Sequence, residues 1–154
     1  MDAAAHFTGL ETSRWVCART ADGKPYFPAV PEICFSISHS GGYWACAFGF
    51  SPVGFDLQRH EQCRTEAIAR RFFHPEEIAW LEARGYCDED FFSIWTAKES
   101  YLKYTGEGIV NGLHWFSVLA SLPGGAELRH LSGPDGYSLC LCAASVGTVK
   151  KVLL

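Results

Sequence analysis

Phe91-Phe92-Ser93-Ile94-Trp95-Thr96-Ala97-Lys98-Glu99-Ser100-Tyr101-Leu102-Lys103-Tyr104 decides how the rest of the chain is read. Phe92, Trp95, Glu99 and Leu102 follow one another by three or four residues, the spacing of one helix face. The pattern predicts a helix over residues 91–104, capped at its start by Asp88 or Asp90. Gly106 closes it, because glycine takes the left-handed conformation that ends a helix. Glu99 is the odd member of the stripe. A carboxylate on an apolar face is costly unless it is paired, hydrogen-bonded or metal-bound. Lys98 and Lys103 are candidate partners within the same helix, and a place at the rim of the stripe is the other ordinary reading.

Upstream, residues 64–73 carry Ile68, Phe72 and Phe73 at helical spacing. Pro75 then suits the first position of a second helix over 75–84. Further upstream the period changes to two. Ile33, Phe35 and Ile37 alternate with Cys34, Ser36 and Ser38, and Ser40-Gly41-Gly42 turns the chain into a second apolar strand over 43–50. A third strand follows over 53–58. Downstream, strands are expected over 115–119, 127–131 and 137–144, with Gly133-Pro134-Asp135-Gly136 as the last turn. Residues 14–19 read as a short strand and 21–25 as a turn; the rest of 1–32 shows no clear period. Strands, then helices, then strands indicate an α+β fold, an antiparallel sheet packed against helices. At 154 residues, one domain over 1–154 is expected.

The formal charge of -4 lacks the basic surplus of a general nucleic-acid binder. Seven cysteines, an odd number with no Cys-x-x-Cys pair, argue against a disulfide framework or a structural zinc site. They point to a reducing, cytoplasmic compartment, and Cys140 and Cys142 fall on one face of a strand as small apolar residues. Neither a signal peptide nor a run long enough to span a membrane is read, so no membrane partner is expected.

Three further groups of residues can carry chemistry. In Gly54-Phe55-Asp56-Leu57-Gln58, period two puts Asp56 and Gln58 on one face, an oxygen-rich pair that suits a hard cation. An ordinary half-exposed strand shows the same alternation. Ser38 and His39 in Ser36-Ile37-Ser38-His39-Ser40 stand beside a Gly-Gly turn, where a phosphate can be cradled. A serine-rich hairpin whose hydroxyls satisfy the turn is the alternative. Lys98 and Lys103 flank Glu99 and suit a diphosphate with its metal, or else a solvated face. Lys24 in Gly23-Lys24-Pro25 is a turn lysine by default.

Taken together, these motifs resemble the 4'-phosphopantetheinyl transferase superfamily, in its surfactin-synthetase-activating type. The Ser38-His39-Ser40 segment is similar to its Ser-His-Ser motif, and 54–58 to its Gly-x-Asp-x-Glu motif. Trp95-Thr96-Ala97-Lys98-Glu99, with Lys103, Gly106 and Gly108, resembles its long helical signature. The resemblance implies transfer of the phosphopantetheine arm of coenzyme A to a serine of an apo acyl or peptidyl carrier protein. It implies Mg²⁺ held by Asp56 and Glu99, with Gln58 alongside, and Glu99 as base. Lys103, helped by Lys98, would neutralise diphosphate charge. Ser38 and His39 would meet nucleotide phosphate, and Lys24 and Pro25 the adenine end. An acidic carrier helix would meet Arg64, Arg70 and Arg71, for which the solvated face of an amphipathic helix is the alternative.

Two departures qualify the resemblance. Gln58 stands where many relatives have a carboxylate. By the same resemblance the fold is a pseudo-dimer, of which 53–154 is a complete second half and 1–52 an incomplete first. The alternative function is a relative that binds coenzyme A or carrier proteins without transfer.

Overall fold

The computed structural model describes residues 2–12, 15–21, 23–108 and 112–152. In chain order the elements are α1 (Asp2–Thr8), β1 (Ala18–Arg19), β2 (Pro25–Tyr26), β3 (Cys34–Ser40), β4 (Tyr43–Gly49) and β5 (Val53–Arg59). Then come α2 (Thr65–Phe72), α3 (Pro75–Glu82), α4 (Asp88–Thr105), β6 (Glu127–Leu131) and β7 (Tyr137–Ala143). The α+β class holds, with β5-β7-β6 forming an antiparallel three-stranded sheet and β3-β4 a separate hairpin.

The period-two pattern decides what covers each face of the main sheet. On β5, Val53, Phe55 and Leu57 join Leu139, Leu141 and Ala143 of β7 in one apolar cluster, closed by Ala45 and Ala47 of the hairpin. Gly54, Asp56 and Gln58 point the other way, toward α4, as do Cys140 and Cys142, which are fully buried. Phe91, Phe92, Ile94, Tyr101 and Leu102 of α4 form the second cluster with α2, α3 and the segment 113–126. A third cluster of Ala4, Phe27, Ile33 and Phe35 packs the N-terminal segments on the outer face of the hairpin.

β3 is not laddered to β5, yet the two are bonded through side chains. Ser36, Ser38 and Ser40 accept the backbone N–H groups of Phe55, Leu57 and Arg59 at 3.0, 3.1 and 3.0 Å. The partners advance together along both strands, so β3 runs parallel to β5. The hydroxyls cover the edge of β5 that β7 leaves open, satisfying donors that an exposed strand edge would present.

Three expectations change. The first turn of α4 begins at Asp88, and its N-cap is Cys87, with no side-chain cap bond. Asp88, Glu89 and Asp90 lie inside that turn, where they complement the helix dipole instead of capping it. Residues 115–119 are turns, not a strand, because their backbone bonds are taken by side chains of α3 and α4, described below. The strand expected over 14–19 is confined to Ala18–Arg19 among the described residues, and α1 had no sequence signal. Gly106 closes α4 as expected, at φ 82°.

Gly54 sets the distance between α4 and the sheet. A Cβ there would lie 1.9 Å from the Ser100 carbonyl oxygen and 2.3 Å from the Tyr104 nitrogen, both backbone atoms that cannot swing aside. Replacing Gly54 with alanine is expected to cost at least about 1–3 kcal/mol, the usual cost of overpacking. Urea unfolding of Gly54→Ala measures this; an unchanged midpoint would mean that helix and strand are not held this close.

Candidate active site

Asp56 sits in the middle of β5, on the face that α4 covers, and is 6% exposed. Its Oδ1 accepts two hydrogen bonds, from Ser38 Oγ at 2.8 Å and from Lys103 Nζ at 2.7 Å. Its Oδ2 is buried and has no partner. Lys103 lies one helical turn beyond Glu99 on α4 and also reaches the Ile37 carbonyl at 3.4 Å. Glu99 pairs with neither lysine: the ammonium groups go to Asp56 and Glu77, and Glu99 Oε1 is buried without a partner. Burial pushes the Glu99 carboxyl up, the Asp56 charge pushes it up further, and Lys103 pulls it back.

Asp56 and Glu99 are close enough to interact electrostatically, and each has one buried oxygen without a partner. A buried oxygen without a donor is costly. A hard divalent cation relieves that cost, because it takes carboxylate oxygens and completes its shell with water and phosphate. The donor set fits such an ion, and the orphaned oxygens are the observation that says so. No group of three or more His, Cys, Asp or Glu side chains suited to a metal occurs among the described residues. An ion here would therefore draw further ligands from water or a bound substrate. Gln58 is on the same face of β5, two residues from Asp56. Its amide nitrogen donates to the Arg59 carbonyl at 3.2 Å, and its side chain lines a groove with Phe92 and Trp95.

Family assignment now rests on more than motifs. The family model for the 4'-phosphopantetheinyl transferase superfamily matches residues 52–149, which include Asp56, Glu99 and Lys103. The chain belongs to this superfamily. A 4'-phosphopantetheinyl transferase of Bacillus subtilis is 36% identical over 155 aligned positions, covering 92% of this chain and 69% of its own length. The transferase Sfp of Bacillus subtilis strain 168 is 36% identical over 120, covering 77% and 52%. The transferase gsp of Aneurinibacillus migulanus is 39% identical over 98, covering 62% and 40%. The chain thus spans about half the length of the latter two superfamily relatives.

The remaining residues singled out from the sequence are placed unequally. Ser38 joins the cluster through Asp56, with its hydroxyl buried and turned inward. His39, next along β3, is on the opposite face, exposed and stacked on Trp44 with ring centroids 4.4 Å apart. Lys24 donates to the Tyr104 carbonyl at 3.0 Å, at the C-terminal end of α4, and burial lowers its pKa. Pro25 begins β2 beside it. Arg70 is paired with Glu66 and Glu82 on the surface, and Arg71 lies over the Phe72 ring.

Lys98, expected beside the diphosphate, is not in this cluster. It is fully buried on another face of α4, 2.8 Å from Glu77 Oε2, and donates to the Leu113 and Phe116 carbonyls at 2.7 Å each. Its three protons are thereby used, and none is left for a substrate. Glu77 is equally committed: it accepts the backbone N–H of His74 at 3.0 Å and that of Val118 at 2.7 Å. Sequence reasoning missed this buried pair. The signal was the Glu three residues after His74, since a glutamate there completes a capping box.

Two predictions follow from these contrasting environments. Lys98→Met strands the Glu77 carboxylate without its cation, so a loss of about 3–5 kcal/mol is expected in chemical denaturation. A loss below that of an ordinary surface change would remove Lys98 from the core. Glu99 behaves in the opposite sense. Its folded pKa is raised, so with a chelator present stability is highest while Glu99 is protonated in both states. It then falls as pH rises from the unfolded value through the folded one. Glu99→Gln removes that contribution. The variant should unfold at a higher denaturant concentration than the wild type at neutral pH in chelator, and the two should converge in acid; the reverse order would show that Glu99 is satisfied.

Proposed function

We propose that this chain transfers the 4'-phosphopantetheine arm of coenzyme A to a serine of an apo acyl or peptidyl carrier protein, releasing 3',5'-ADP. The observation that carries this reading is the pair of unmatched buried oxygens, Asp56 Oδ2 and Glu99 Oε1, with Lys103 bound to the other oxygen of Asp56. Asp56 and Glu99 would hold Mg²⁺, with the Gln58 amide oxygen as a neutral donor two residues away on β5. When bound, the ion supplies Lewis-acid neutralisation of the diphosphate charge.

The chain's own residues account for the rest. Glu99 has a carboxyl whose pKa burial and Asp56 hold up, which suits it to accept the carrier serine's proton, directly or through a water. The serine oxygen forms the new bond to the phosphorus that bears pantetheine. The bridging P–O bond breaks, and its electron pair leaves with 3',5'-ADP. Lys103, bound to Asp56, would hold positive charge beside the diphosphate as its bridging bond breaks and the 5'-phosphate leaves on 3',5'-ADP. Lys24 and Pro25, near the C-terminal end of α4, and His39, exposed on β3, are the candidates for the nucleotide end. The nucleophile belongs to the partner, so no activated serine or cysteine is required here. All seven cysteines are free thiols, which fits the cytoplasm as the place of action. Among the described residues no helix is long and apolar enough to cross a membrane.

The test is direct. The purified chain is incubated with coenzyme A, Mg²⁺ and a panel of apo carrier proteins, and the carriers are weighed by intact mass spectrometry. One carrier is expected to gain the mass of one phosphopantetheine arm, and both EDTA and Glu99→Gln are expected to abolish the gain. A folded chain that modifies no carrier in the panel would overturn the proposal.

A further inference from the structure

We infer that Ser38 is a positioning residue for Asp56: its hydroxyl fixes the rotation of the carboxylate, and so the place and direction of the oxygen left free for a divalent cation. The inference rests on the transferase reading and adds to it a residue that contacts neither coenzyme A nor carrier. It also gives Ser38 a different duty from the phosphate contact that the motif suggests.

A serine hydroxyl has one proton to donate and two lone pairs. One lone pair of Ser38 accepts the Leu57 N–H at 3.1 Å. Its Oγ lies 2.8 Å from Asp56 Oδ1, closer than the alternative acceptor, the Leu57 carbonyl at 3.3 Å, so the proton goes to Asp56. A bond to an ionised carboxylate is also the stronger of the two. The hydroxyl's proton is therefore engaged inside the fold, and Ser38 is only 5% exposed.

The effect on Asp56 is one of orientation. The carboxylate can rotate about its last bond, which moves its free oxygen. Lys103 alone does not fix that rotation, because an ammonium on a flexible stem can follow the oxygen it binds. Ser38 is held on β3 by its own bond to Leu57, so its donor position is fixed. With Ser38 and Lys103 both on Oδ1, Oδ2 is left buried and without a partner, in a carboxylate close enough to Glu99 to act on its charge. Outer partners of this kind orient metal ligands and tune affinity.

The flanking serines provide an internal comparison. Ser36 and Ser40 accept the neighbouring N–H groups of β5 in the same way, and neither is bonded to a carboxylate. Ser38 also lies outside the segment 52–149 that the family model matches, so the hairpin upstream of that segment contributes to the site.

Mn²⁺ binding by the full chain, followed by electron paramagnetic resonance, tests the inference. The Mg²⁺ dependence of carrier modification is measured beside it. Ser38→Ala is expected to weaken Mn²⁺ binding about 10–100-fold and to raise the Mg²⁺ requirement in proportion. The KM for coenzyme A at saturating Mg²⁺ should be unchanged. Ser40→Ala, which removes the equivalent backbone bond, should bind Mn²⁺ like the wild type. If Ser38→Ala does not fold, Ser38→Cys decides, since the thiol fills the slot but donates weakly. Wild-type affinity in the Ser38 variant, equal losses in both serine variants, or a raised KM for coenzyme A with unchanged Mn²⁺ affinity would each overturn the inference alone. A wild-type chain that binds no Mn²⁺ and modifies no carrier would overturn the transferase reading and this inference together.

Discussion

The close approach of α4 to β5 at Gly54 is the constraint on which the site depends. Helix backbone rests against strand backbone there, with no room for a single carbon between them. Ser100 and Tyr104, the residues in contact, bracket Lys103 and follow Glu99. Asp56 is two residues along the strand, on the same face. Once the contact is made, a carboxylate from the helix, a carboxylate from the strand and the ammonium of Lys103 must share one small volume. A side chain at 54 would lift the helix and separate the groups on which the proposed chemistry relies.

Two charge networks on the same helix show what that geometry is for. Around Lys98 every donor and acceptor is matched: Glu77, two carbonyls and two backbone N–H groups close a fully buried set. That network ties α3 and the segment 113–118 to α4 and leaves nothing over for a ligand. Around Lys103 the matching is incomplete: its ammonium is bound to Asp56, Glu99 is left without an ion pair, and one buried oxygen of each carboxylate has no partner. Protonation of Glu99, whose carboxyl pKa is held up by burial and by Asp56, or a bound divalent cation would each relieve that excess of negative charge.

Much of this could be read from the sequence, for identifiable reasons. The helix face carrying Phe92, Trp95, Glu99 and Leu102 and the alternation around Asp56 are local periodicities, so both elements and the two carboxylates were legible. That Glu99 would stay unpaired was not, since i,i+4 spacing to Lys103 is equally compatible with an ion pair. What decides it is Asp56, which takes Lys103 from a strand 47 residues away in the chain. The partner of Lys98 was hidden for the same reason: Glu77 sits on another helix, and no local pattern joins them. Residues 115–119 look like a strand in isolation, but their polar backbone is recruited by Lys98 and Glu77.

The serines of β3 show how one strand can serve two interfaces. Phe35 faces the N-terminal cluster, whereas Ser36, Ser38 and Ser40 face the edge of β5. A hydroxyl is short enough to let the two strands approach and polar enough to satisfy a strand edge, which an apolar residue of similar size could not do. The register is thereby fixed. A slip of one residue would turn Phe35, Ile37 and His39 onto that edge, leaving three N–H groups without acceptors and Asp56 Oδ1 with Lys103 alone. The sequence alternation that first marks β3 as a strand is therefore also what brings a fixed donor to the buried carboxylate.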